Sequence, residues 1–193
     1  MASSPAWKLR VLNLAADYKT ALQEGNFSKF AEKRGHANYT EDEIKRMANE
    51  FPGIETVMED QTRSHQGLTD DYNKVTDDLE SGGADKPTAI ERVKAQAEKM
   101  KAESIANIDA NTKRVLALIE SLPEDQQDLA ADFWESLSDG FMKFWKEVLN
   151  AIERIFEAVV NWLKKVWEQV KACWETVKGI WDEIWKWLEG LKA

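Results

Sequence analysis

The chain has 193 residues, 43% hydrophobic and 32% charged, with a net charge of −9 and a pI near 4.9. This length supplies one compact domain or one elongated bundle with a real core. The negative field repels polyanions and excludes general nucleic-acid binding, while the scarcity of proline (four) and glycine (nine) favours long helices.

Ser4-Pro5 starts the first predicted helix, with proline placed where its missing N–H costs nothing. Its apolar set Trp7, Val11, Leu14, Ala15, Tyr18 and Leu22 follows helical spacing as far as Gly25. A short helix over 28–34, ended by Gly35, is expected next. Thr40-Glu41-Asp42-Glu43 then reads as a capping box, opening a helix through Ile44, Met47 and Phe51 that closes at Pro52-Gly53.

From Ile54 the face Val57, Met58, His65, Leu68, Tyr72, Val75 and Leu79 continues for about seven turns, with Gln61 and His65 thinning it. Thr69-Asp70-Asp71-Tyr72 recurs seven residues later as Thr76-Asp77-Asp78-Leu79, a repeat of one helix surface. Its paired aspartates lack the alternation and the glycine of a calcium loop and read as a solvated acidic face. Ser81-Gly82-Gly83-Ala84-Asp85-Lys86 is the clearest loop. Pro87 restarts a helix to Leu122 whose inner face includes Val93, Ala97, Met100, Ser104, Ile108, Val115 and Ile119. Within it, Asn107-Ile108-Asp109-Ala110-Asn111 is rejected as a calcium loop because Thr112 and Leu118 occupy the glycine and glutamate positions. Ser121-Leu122-Pro123 caps a short acidic helix, and Ser138-Asp139-Gly140 is expected to break or bend it into the last element.

That last element organises the chain. From Leu149, one column of sevens reads Leu149, Phe156, Leu163, Val170, Val177, Ile184, Leu191; a second reads Ile152, Val159, Val166, Cys173, Ile180, Trp187; a third reads Val160, Trp167, Trp174, Trp181, Leu188. Without a proline to interrupt them, they predict one helix from Phe141 to Leu191, about 75 Å long. The predicted architecture is all-α: an elongated antiparallel helical bundle, with residues 1–140 forming an acidic helical region and 141–193 a long Trp-rich amphipathic helix packed with it. Two helices of roughly thirty residues cannot cover one of fifty, so something outside the chain shares the overhang, or the helix folds back near Gly179.

Catalytic chemistry is not evident. His36 and His65 have no ligand partner at metal spacing, no glycine-rich phosphate loop is present, and Cys173, the only cysteine, sits in an apolar column as a core thiol. No enzyme activity, cofactor or small-molecule substrate is expected. The N-terminus lacks the pattern of a cleavable signal and charges punctuate the last helix at every turn, so the expected location is cytoplasmic, with peripheral membrane association or unconventional export as the exceptions. Eight of the nine tryptophans fall in the final sixty residues, and 141–193 carries 9 basic against 8 acidic groups, the least acidic long segment. Lys164, Lys171 and Lys178 flank the tryptophan column and pair at four-residue spacing with Glu168, Glu175 and Asp182.

High amphipathicity, flanking lysines and aromatic anchors together are the pattern of an interfacial helix. The expected function is therefore non-enzymatic association with a lipid or membrane surface through Trp162, Trp167, Trp174, Trp181, Trp185, Trp187, Lys164, Lys171 and Lys178. Assembled with copies of itself, such a chain would resemble helical pore-forming toxins in general layout, without any family-specific motif. The alternative is a structural protein that self-assembles through the same helix, because large apolar patches mark contacts.

Overall fold

The structure, a computed structural model, describes residues 3–27 and 39–192. The helix expected over 28–34, and His36, lie outside the described residues. Six helices are present among those described: α1 (Ala6–Glu24), α2 (Glu41–Glu50), α3 (Pro52–Ser81), α4 (Lys86–Glu120), α5 (Glu124–Val160) and α6 (Val166–Lys192).

Local chemistry accounts for most boundaries. Thr40 Oγ1 accepts from the Glu43 amide at 3.2 Å while the Glu43 carboxylate accepts from the Thr40 amide at 2.7 Å, so two orphan donors of α2 are satisfied reciprocally. The Asp85 side chain caps α4 through the Thr88 amide at 3.0 Å. Gly25 and Gly83 adopt the left-handed conformation that ends α1 and the α3–α4 turn, where glycine carries no Cβ penalty.

α3 and α4 form one antiparallel hairpin and α5 and α6 a second. The two stack through α4 against α5 and α3 against both α5 and α6. α1 lies across α4 and α5, and α2 bridges α3, α5 and α6. The six apolar positions read from α1 are all buried. Arg10 on the same helix reaches Asp132 (2.5 Å), Asp128 (3.2 Å) and Glu135 (3.5 Å), and the Tyr39 hydroxyl donates to Asp132 at 2.5 Å. These contacts give part of 123–140, which holds six acidic groups and no basic ones, its counter-charge.

The C-terminal region differs from expectation at two points. Ser138-Asp139-Gly140 does not break a helix; α5 runs through it for 37 residues. Nor is 141–191 a single rod. It breaks at 161–165 rather than near Gly179, and α6 returns along α5 and α3 as a 27-residue Trp-rich helix. The stop is a Schellman motif: the Leu163 amide donates to the Ala158 carbonyl at 3.1 Å and the Trp162 amide to the Val159 carbonyl at 3.0 Å. Trp162 occupies the left-handed position usually given to glycine (φ 48°), and Lys165 repeats that conformation at φ 56°. With neither glycine nor proline in the turn, the stop signal the sequence carries there is the weaker one of Asn161, directly after the last helical residue.

Folding back covers much of the overhang. Trp174 and Trp181 are buried, Trp162, Trp167, Trp185 and Trp187 are half-buried, and no described tryptophan is exposed. Of the two expected outcomes, an outside partner or a fold-back, the structure shows the fold-back, at 161–165 rather than near Gly179; it brings the two halves of the stripe against each other.

Candidate functional site

Of the residues singled out from the sequence, the α6 tryptophans do most to join the two hairpins. Trp174 Nε1 donates to Thr76 Oγ1 at 2.9 Å, Trp181 Nε1 to Thr69 Oγ1 at 3.0 Å, and Trp185 Nε1 to Gln66 Oε1 at 2.9 Å. Both threonine hydroxyls donate onward to carbonyls of their own helix at 2.8 Å, Thr69 to Gln66 and Thr76 to Asn73. Each hydroxyl thus accepts an indole proton and passes on its own, satisfying the buried polar groups on both sides. The seven-residue repeat of Thr-Asp-Asp in α3 is the acceptor half of this ladder, set against the seven-residue spacing of Trp174 and Trp181. The sequence offered the two repeats separately, and antiparallel packing joins them.

Around the ladder the rings pack on one another. Trp181 lies 6.1 Å from Trp145, Tyr72 5.6 Å from Trp174, and Phe144 5.8 Å from Trp187, while the Arg63 guanidinium sits 5.8 Å over Trp185. The expected pairs on α6 are rearranged. Lys171 reaches across to Glu80 at 2.8 Å, which raises its pKa, and Lys165 rather than Lys164 approaches Glu168, at 3.8 Å. Lys164 falls in the turn, where helical four-residue spacing does not apply, and Lys178 is exposed beside Asp70 and Asn73.

His65, read from the sequence as a thin spot in the α3 face, is the hub of a buried polar layer. Its Nδ1 lies 2.9 Å from the Gln61 carbonyl and its Nε2 2.8 Å from Ser104 Oγ. With Nδ1 protonated, the ring donates to the carbonyl and accepts from the serine, so one neutral tautomer satisfies both. Phe141 and Trp145 meet the ring edge-on at 5.0 and 4.7 Å. Burial pushes the imidazole pKa down to about 4, keeping it neutral at physiological pH.

The turn between α5 and α6 has a different character. Leu163 is 41% exposed, one of three large apolar side chains so placed; Leu9 and Leu12, on α1, are the others among the described residues. Trp162 and Trp167 meet edge-to-face at 6.2 Å beside it, and Lys164 and Lys165 are exposed. Two indoles, a leucine and two lysines are therefore gathered at one turn.

Among the described residues no group of three His, Cys, Asp or Glu side chains is placed to hold a metal ion, and no helix is long and apolar enough to cross a membrane. Cys173 is half-buried and free. Compared with known proteins, the chain matches no family model, no curated protein and no solved structure.

Proposed function

We propose that this all-α protein is a non-enzymatic, peripheral lipid-associating protein that meets an anionic membrane surface through the α5–α6 turn. The observation that carries this reading is the cluster at 162–167: indoles that favour the boundary between apolar and wet, one exposed leucine, and two lysines on the same tip. Each lysine near an anionic leaflet adds about 1 kcal/mol. Relative to docking by the whole helix, this contact needs no opening of the bundle, and the Trp174, Trp181 and Trp185 ladder stays intact. Self-assembly through α6 has less in its favour, because the apolar stripe of α6 already faces α3 and α5.

Co-sedimentation with phosphatidylserine-containing vesicles tests the proposal. The expected result is binding that weakens with salt, falls about thirtyfold in Lys164→Gln/Lys165→Gln, where two attractions are lost, and falls again in Leu163→Asp. Binding to neither anionic nor neutral vesicles at low salt, or binding indifferent to these tip variants, would sink it.

A further inference from the structure

α6 runs antiparallel to α3 in a register that its own contacts measure. Lys171 meets Glu80, Trp174 meets Thr76, Trp181 meets Thr69, Trp185 meets Gln66 and Lys192 meets Glu59. Each step along α6 is thus matched, to within one residue, by a step back along α3. Carried past Lys171, this register sets Val166, the first residue of α6, level with Ala84 and Asp85. The α5–α6 turn at 161–165 and the α3–α4 turn at 82–85 therefore close the same end of the bundle at nearly one height. Packed helices stand about 8–10 Å apart, so the two turns are neighbours. The α4–α5 turn closes the other end, about 52 Å away along the 35 residues of α4.

The two ends differ in charge. Over 81–88 and 161–165 the first end carries Lys86, Lys164 and Lys165 against Asp85 alone, in a chain of net charge −9. The Asp85 carboxylate is committed to capping the Thr88 amide, while Lys86 and Lys164 have no ion-pair partner among the described residues. Gly82, Gly83, Lys86 and Pro87 are exposed there and Ala84 is half-buried. This basic layer is shallow. One turn further in, Asp78, Glu80, Glu91, Glu157 and Glu168 outnumber Arg92 and Lys171. Salt screens charges over about 10 Å, so the lysines act most strongly on a surface they touch. The far end is acidic at its outermost layer: no lysine or arginine falls within 115–142, and Glu124 and Asp125 have no ion-pair partner among the described residues. Leu9 and Leu12 sit on α1 near that end, where Lys8 meets Glu120 and Arg10 meets Asp128. Among the described residues, a large exposed apolar side chain and unpaired lysines therefore coincide at the first end alone.

We propose that the protein stands end-on on an anionic bilayer, with the α3–α4 turn, through Lys86 and the backbone of Gly82 to Ala84, as a second lipid contact beside the α5–α6 tip. This rests on the tip reading above, and the experiment separates the two. Single cysteines replace Ser81, Asn161 and Ser121, all exposed, in a Cys173→Ser chain (Cys173→Ala should the first fail to fold), and each carries an environment-sensitive fluorophore. Phosphatidylserine vesicles carry a spin-label quencher at headgroup depth. On binding, the labels at Ser81→Cys and Asn161→Cys should be quenched alike and the label at Ser121→Cys left unchanged. At low salt, Lys86→Gln should weaken co-sedimentation about fivefold, the loss of one lysine at an anionic surface. Lys113→Gln, equally exposed but on the distant half of α4, should leave binding unchanged. Quenching at Asn161→Cys without quenching at Ser81→Cys overturns this inference while the tip reading stands. Equal quenching at all three positions means that the bundle lies flat, and overturns it too, as does undiminished binding by Lys86→Gln. A chain that binds none of these vesicles removes the tip reading and this inference together.

Discussion

Gly140 offers the sharpest test of the packing described here. A Cβ built on it would lie 2.5 and 2.6 Å from Trp187 Cζ2 and Cη2, whereas carbon atoms rest at about 3.5–4.0 Å, so the ring must retreat by about 1 Å. That ring is also packed against Phe144. Overpacking of this kind costs about 1–3 kcal/mol, and exchanging helical glycine for alanine returns about 1 kcal/mol. Gly140→Ala should therefore destabilise by up to about 2 kcal/mol despite its better helix propensity. Gly179→Ala is the internal control. It sits in α6 with nothing within 4 Å of its Cβ, and should stabilise by about 0.5–1 kcal/mol. Urea unfolding followed by helical circular dichroism reads both as shifts in midpoint at constant slope. In a Trp187→Leu background the sign for Gly140→Ala should reverse, because the two sites are in contact and cannot be additive. If Gly140→Ala raises the midpoint as Gly179→Ala does, α6 does not return along α5 in the register described.

Thr69→Val and Thr76→Val keep the side-chain volume but remove the acceptors of Trp181 and Trp174, so each should cost about 1–3 kcal/mol, measured by thermal unfolding, and should speed exchange of the corresponding indole proton. Because the folded His65 pKa lies near 4, below the ordinary 6.5, the unfolded chain binds the extra proton between these values. The stability held above pH 6.5 is lost as pH falls toward 4, on the order of 3 kcal/mol, and the wild-type minus His65→Gln difference in unfolding free energy across that window should show it. Lys165→Gly relieves a left-handed backbone at an exposed site and should stabilise by about 0.5–1 kcal/mol in urea; a loss of stability would contradict the turn geometry.

Much of the fold could be read in advance because its causes are local. The Thr40–Glu43 capping box, Gly25, Pro52, the Gly82-Gly83 turn and Pro87 act through their own backbone, so residue type and spacing announce them. The columns of sevens likewise named the buried faces of α5 and α6, since Ile152, Val159, Val170, Val177 and Ile184 are all interior. Periodicity does not say where a helix stops when the stop uses neither glycine nor proline. Trp162 and Lys165 take left-handed backbone that their side chains disfavour, and the structure holds them there because the returning α6 buries Trp174 and Trp181 against α3. The role of Gly140 is of the same kind: read along the chain it is a helix breaker, and beside Trp187 it is the one residue small enough to fit. The sequence by itself determined the helices, their caps and their apolar faces, whose free energies lie within a turn or two of chain. Which face meets which, and therefore what is sealed and what is left open, was decided by tertiary packing, because that energy is released only between residues a hundred positions apart.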